Sequence, residues 1–148
     1  MGTQQRVVSA TRVVAASPET IFELIADPAR QPEWDGNDNL AESTADRVRA
    51  VGDSFDTTLT NGGVRRNHIV EFDEGRLIAW RPSEVGQEPP GHLWRWELTP
   101  TGSGTEVTHT YDWSHLHDEA RMVRARATTS DKLLKSVDAL AAVAERLA

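Results

Sequence analysis

There is no cysteine in this chain, and that absence removes disulfides, thiolate metal sites and a cysteine nucleophile together. Nor is there an apolar run long enough to span a bilayer, or a charged start leading into an apolar stretch at the N-terminus. Both absences predict a soluble, cytoplasmic protein with no membrane insertion. Met1-Gly2 opens a myristoylation pattern, but Arg6 stands where Ser or Thr is required. Positive charge is the minority: 16 Lys and Arg stand against 23 Asp and Glu, a formal net charge of -7. That balance argues against a phosphate-binding surface and predicts no nucleic-acid partner. Gly102-Ser103-Gly104 lacks the third glycine, the lysine and the strand-to-helix setting of a nucleotide loop, so it reads as a hairpin turn. No Gly-x-Ser-x-Gly pattern supports acyl transfer.

Glycine and proline are also missing from the last stretch, Asp118 to Ala148. There Leu133, Val137, Leu140, Ala144 and Leu147 recur at steps of four and three, the stripe of one long helix, which Asp118 can cap. About thirty residues at 1.5 Å each make a rod of roughly 45 Å, enough to cross a small domain. The rest of the chain must bury it. Arg6 to Ala15 is β-branched and reads as a strand, and Ser17-Pro18-Glu19-Thr20 then starts a short helix that Asp27-Pro28 ends. A second helical turn is expected over Ala29 to Trp34, then a polar stretch Asp35 to Asn39. Strands are expected over Ser43 to Val51, Ser54 to Thr60, Val64 to Phe72, Arg76 to Arg81, His92 to Leu98 and Thr105 to Trp113, with a loop from Pro82 to Gly91. Asn61-Gly62-Gly63 is the plainest hairpin signal among them. The whole, residues 1–148, reads as one domain, since no linker or repeat divides it.

Strand alternation then assigns faces. His92, Trp94, Trp96 and Leu98 share one side, as do Val107, His109, Tyr111 and Trp113, and both sets are expected to look toward the helix. Arg66, His68, Val70 and Phe72 share a face in the fourth strand, and Trp80 with Ile78 is placed inward in the fifth. Five tryptophans beside one tyrosine and three phenylalanines is an unusual ratio. Aliphatic side chains fill a solid core better, because tryptophan, tyrosine and histidine each carry a polar atom needing a partner. Their convergence favours a cavity dotted with polar groups.

A first strand, SPETIFELIADPARQPEWDGN, a hairpin meander, GTEVTHTYDW and a long last helix together resemble the polyketide cyclase/dehydrase family of the START-like, helix-grip (SRPBCC) superfamily. The likeness covers nearly the whole chain and rests most on Ala16 to Trp34 and Gly104 to Trp113. It implies an α+β helix-grip fold: a curved antiparallel sheet of six or seven strands around a long C-terminal helix, two short helices after the first strand, and a hydrophobic cavity between sheet and helix. Members of that superfamily include cyclases, carriers of lipids and other hydrophobic ligands, chaperone co-factors and ribosome-associated toxins, so the fold names a place and not a reaction.

Two functions are therefore expected. The first is binding of a hydrophobic small molecule, polyketide-, lipid- or aromatic-like, with cyclase or dehydratase activity inside the same frame. Trp34, Trp80, Trp94, Trp96, His109, Tyr111 and Trp113 would bind it, with Met122 and Ala125 closing from the helix. His109, His92 and Tyr111 are the candidate catalytic groups, two histidines able to move protons and a phenol able to donate to an enolate oxygen. The alternative is a protein-interaction module with a closed interior. No cofactor is expected. No metal is expected either: Asp112 faces away from His109 on a strand, and His115 and His117 follow in a loop. Nothing in the residues locates an interface, although a homodimer is compatible with them. Arg121, Arg124 and Arg126, at the start of the last helix, read either as a solvated face or as a mouth attracting an anionic ligand head.

Overall fold

The computed structural model of the protein describes residues 6–34, the backbone of 40–44, and residues 46–148. Met1-Gly2 and the stretch Asp35 to Asn39 lie outside the described residues. Seven strands make one antiparallel sheet: β1 (Val7–Val14), β2 (Leu40–Thr44), β3 (Ser54–Leu59), β4 (Val64–Asp73), β5 (Leu77–Glu84), β6 (Leu93–Thr101) and β7 (Gly104–Asp112). Their order is β1-β7-β6-β5-β4-β3-β2. It is a meander whose first strand closes on its last, the arrangement short turns favour. At the β3–β4 turn Gly62 takes φ 89°, and the Asn61 side-chain oxygen accepts from the Gly63 N–H at 2.9 Å.

Helix α1 (Pro18–Ala26) starts where proline and capping serine demand it, with Ser17 Oγ accepting from the Thr20 N–H at 3.2 Å. It buries Ile21, Phe22, Leu24, Ile25 and Ala26. A 3₁₀ turn, Pro28–Glu33, follows directly.

The segment expected as a strand over Ser43 to Val51 is mostly irregular, because β2 lies earlier and ends at Thr44. Its remainder is tied crosswise. The Val48 N–H donates to the Ala26 carbonyl at 2.9 Å, and Arg47 reaches both Glu23 of α1 and Glu74 of the β4–β5 turn. A buried valine and a twice-paired arginine hold this segment against α1 rather than along the sheet edge.

In β4 the face assignment is reversed for part of the strand. Asn67 and Ile69 are buried, whereas Val70 is exposed. A register shift between Ile69 and Glu71 inserts an extra residue, resets the alternation and turns Phe72 onto Phe22, with ring centroids 5.6 Å apart. Strand β5 runs past Arg81 through Pro82 to Glu84. Proline is tolerated there because β5 has already left β6, so no ladder partner needs its missing N–H.

The long C-terminal rod is two helices, α2 (Glu119–Ala127) and α3 (Ser130–Leu147). Thr128 and Thr129 between them are extended, at φ -84° and -101°. Threonine competes with helix through its own side chain. Thr128 Oγ1 donates to the Arg124 carbonyl at 2.9 Å, while Thr129 Oγ1 accepts from the Lys132 N–H at 3.4 Å as the cap of a new helix. Asp118 caps α2 as expected, accepting from the Ala120 N–H at 2.9 Å. Among the described residues no helix is long and apolar enough to cross a membrane.

Two buried clusters result. The larger joins Val137, Leu140, Ala141 and Ala144 of α3 to α1, Val14, Ile78 and Val107. The smaller gathers Tyr111, Trp113, Leu116, Met122, Ala125 and Leu133. The site lies between them.

Candidate functional site: a cavity at the helix break

The sheet parts where the strands stop pairing together. Strand β5 pairs with β6 only from Leu77↔Glu97 to Trp80↔Trp94, then continues beside β4 as far as Glu84↔Arg65. Strand β6 meanwhile stays with β7 to Leu93↔Asp112. The break between α2 and α3 places the short side chains of Thr128 and Ser136 in the helical wall over the same region. A cavity of about 490 Å³ occupies the gap, within the range that takes up drug-sized ligands.

Its floor is aromatic. Cross-strand pairing sets Trp96 opposite His109 and Trp94 opposite Tyr111, and the rings stack at 3.8 and 4.2 Å between centroids. His109 and Trp94 also stack on each other at 5.6 Å, so the four rings form one column. The two inner rings have both faces occupied and can offer a ligand only their edges, the positive end of the ring quadrupole. Trp34 meets Trp96 edge-on at 5.3 Å, and Phe55 meets Trp80 likewise at 5.2 Å. Trp34 is held in place from behind, its indole N–H donating to the Leu24 carbonyl at 2.7 Å.

Polar groups are few and mostly fixed. His109 Nδ1 lies 3.0 Å from the Arg95 carbonyl, so Nδ1 donates and Nε2 carries the lone pair. Burial pushes the His109 pKa down to about 4, against a smaller opposing effect of that carbonyl. His92 is also pushed down to about 4, first by burial and then by Arg121, Arg65, Arg81 and Arg124. Tyr111 is pushed up to about 12 by burial. At neutral pH the three candidate catalytic groups are therefore two neutral imidazoles and an intact phenol. Deeper in, Asn67 Nδ2 donates to Thr57 Oγ1 at 2.8 Å and to the Phe55 carbonyl at 3.3 Å. Gln31 Nε2 donates to the Ile25 carbonyl at 2.9 Å. Among the described residues no three His, Cys, Asp or Glu side chains gather as a metal site would require.

Of the residues expected to bind a ligand, Trp34, Trp80, Trp94, Trp96, His109 and Tyr111 line the cavity, and His92 joins them. Trp113, Met122 and Ala125 do not. They pack on one another in the smaller cluster, with the Arg6 guanidinium 4.9 Å above the Trp113 ring. Met122 and Ala125 fill the space over Tyr111, Val8 and Ala10 as packed core, and the helical wall of the cavity is Arg124, Thr128, Lys132, Leu133 and Ser136. Phe55, Thr57 and Leu59 were legible from alternation in β3 but were not singled out. Arg65 and Asn67 were hidden by the bulge in β4, which put the inward face on the wrong residues.

A curved sheet gripping a C-terminal helical segment over an aromatic cavity defines the helix-grip class. The chain belongs to the family described as polyketide cyclase / dehydrase and lipid transport, whose model matches residues 5–145. It is 33% identical over 112 residues to two uncharacterized proteins of Mycobacterium tuberculosis, Rv0088 of strain H37Rv and MT0096 of strain CDC 1551, covering 72% of this chain and 47% of each relative. The chain thus spans about half the length of these curated relatives. The crystal structure of MLL2253 from Mesorhizobium loti matches with a TM-score of 0.74 at 20% identity, over 97% of this chain and 99% of that one. The solution structure of the Aha1 dimer from Colwellia psychrerythraea matches with a TM-score of 0.62 at 20% identity, over 92% and 96%. At these identities the likeness to both structures is one of fold.

Proposed function

We propose that the protein binds a hydrophobic, ring-bearing small molecule in the cavity at the helix break, within one domain spanning residues 1–148. The observation that carries this reading is the stacked column Trp96, His109, Trp94 and Tyr111 bordering a hollow of about 490 Å³. Ring edges on one wall favour the π-faces and carbonyl oxygens of a ligand, and the family's description, cyclase, dehydrase and lipid transport, supports a ligand of polyketide or lipid type.

Any chemistry performed there is bounded by protonation. With both histidines weak bases and Tyr111 a firm donor, Tyr111 Oη and the N–H of His92 are suited to hold ligand carbonyls, and His109 Nε2 to accept from a ligand hydroxyl, orienting one folded conformer of a flexible chain. As general bases for cyclase or dehydratase turnover at neutral pH, His92 and His109 are deprotonated but weak, and a ligand that raises their pKa would strengthen them. Intrinsic tryptophan fluorescence and thermal unfolding, read against a set of polycyclic aromatic and polyketide-like compounds, test the binding. A saturable change in both is expected, since a ligand selective for the folded state raises its melting temperature. No change with any compound would remove the reading.

A further inference from the structure

Charge around the cavity is lopsided. Among the described residues three cations border it, Arg65, Arg124 and Lys132, and no Asp or Glu does, although acids outnumber bases 23 to 16 in the chain. Half of the described arginines are ion-paired, among them Arg12 with Asp138, Arg66 with Asp56, Arg95 with Glu71, and Arg121 with Asp118 and Glu84. Among the described residues neither Arg65 nor Arg124 forms an ion pair, although Glu84, itself paired with Arg121, sits opposite Arg65 in the β4–β5 register. Arg65 donates only to the carbonyl of its neighbour Val64, at 3.2 Å.

Two neutral groups share that corner. Among the described residues His92 Nδ1 is buried with no hydrogen-bond partner, and the Tyr111 hydroxyl makes no hydrogen bond. The two rings lie 6.0 Å apart, edge to face. Arg124 acts electrostatically on both, and Arg65 on His92. An unpaired arginine on an open surface is unremarkable because water screens it. Two of them on the rim of a concave apolar hollow are not, because the walls focus their field inward. A buried imidazole nitrogen left without a partner also weakens the fold until something satisfies it.

We infer that this corner recognises a carboxylate. The molecule taken up is then an amphiphile, its ring-bearing body against Trp80, Trp94 and Trp96 and its carboxylate between Arg65 and Arg124, accepting from Tyr111 Oη and His92 Nδ1. Guanidinium suits this role because its fork of N–H donors matches a carboxylate's two oxygens. The inference rests on the binding function proposed above and narrows its substrate class to aromatic or fatty acids and polyketide-type acids.

A matched pair of probes separates the two readings. 2-Anthracenecarboxylate and 2-anthracenecarboxamide share a fluorescent body and differ in charge. Titrated into the full chain at low salt, the acid is expected to bind at least ten times more tightly than the amide. In Arg124→Gln and in Arg65→Gln the preference should shrink several-fold, and in the double variant it should vanish, the acid losing far more affinity than the amide. The preference should also fall as salt rises. Equal affinity of acid and amide for the wild-type chain would overturn the carboxylate site and leave cavity binding standing. Failure of both probes to bind would overturn both readings. Arg124 is exposed and Arg65 half-buried, and melting curves of the variants establish that they fold.

Discussion

The two helical joints with the sheet differ in kind. Along α3, Val137, Leu140, Ala141 and Ala144 meet Val14, Ile78, Val107 and the apolar face of α1, and every one of these is essentially sealed from solvent. Toward the break, Thr128, Lys132 and Ser136 line the same cavity as the column of tryptophan, histidine and tyrosine rings. Aliphatic side chains on both sides fill space to crystal-like density. Stacked rings on one side and short or polar side chains on the other leave it open. The same helix pair therefore supplies the molecule's stability at one end and its binding capacity at the other.

The sharpest way to break that contrast is at the solid end. Leu140→Ala should cost about 3 to 4 kcal/mol through lost burial and the void left behind, seen as a lower denaturation midpoint with ligand affinity little changed per folded molecule. A loss below about 1 kcal/mol would mean the joint is not solid.

Next in size is pH. His109 and His92 titrate near pH 4 in the folded chain, below the ordinary value of 6.5. The unfolded chain therefore takes up protons first as pH falls, and stability present above pH 6.5 drains away between pH 6.5 and 4. Each histidine can account for about 3 kcal/mol over that window. His109→Phe keeps a ring in the column and removes one titration, so its urea midpoint should decline less steeply with acid than the wild-type midpoint.

Smaller still is the break itself. Thr129→Ala removes the side-chain cap of α3 and should cost about 1 kcal/mol, measured as a modest fall in midpoint. No loss would argue that the two helices are parted by packing and not by their own side chains.

These contrasts also explain what could be read from residues alone. The β-meander, the capped α1 and the aromatic faces of β6 and β7 were legible because period-2 alternation, Ser17-Pro18 and Asn61-Gly62-Gly63 each state their geometry locally. The break at Thr128 and Thr129 was not, since neither glycine nor proline marks it and the apolar stripe runs on from Leu133. Its signal is a pair of β-branched hydroxyl residues before Ser130-Asp131, a cap in the middle of what reads as one rod. The bulge near Val70 was hidden for a related reason: an extra residue flips the face without changing composition. The bulge is what hid Arg65 and Asn67, whereas Arg124 was legible in the sequence as part of a basic mouth at the start of the last helix.

Filling the hollow tests the central claim most directly. Ser136, buried on α3 at the cavity wall, can be replaced by phenylalanine, and the melting temperatures of wild type and Ser136→Phe compared with and without saturating 2-anthracenecarboxylate. The expected result is a clear rise for wild type, none for Ser136→Phe, and unliganded stabilities within about 1 kcal/mol because the ring enters space already present. An equal rise in both proteins, or a Ser136→Phe chain several kcal/mol less stable than wild type, as overpacking of a filled core would make it, would contradict a ligand cavity at the helix break.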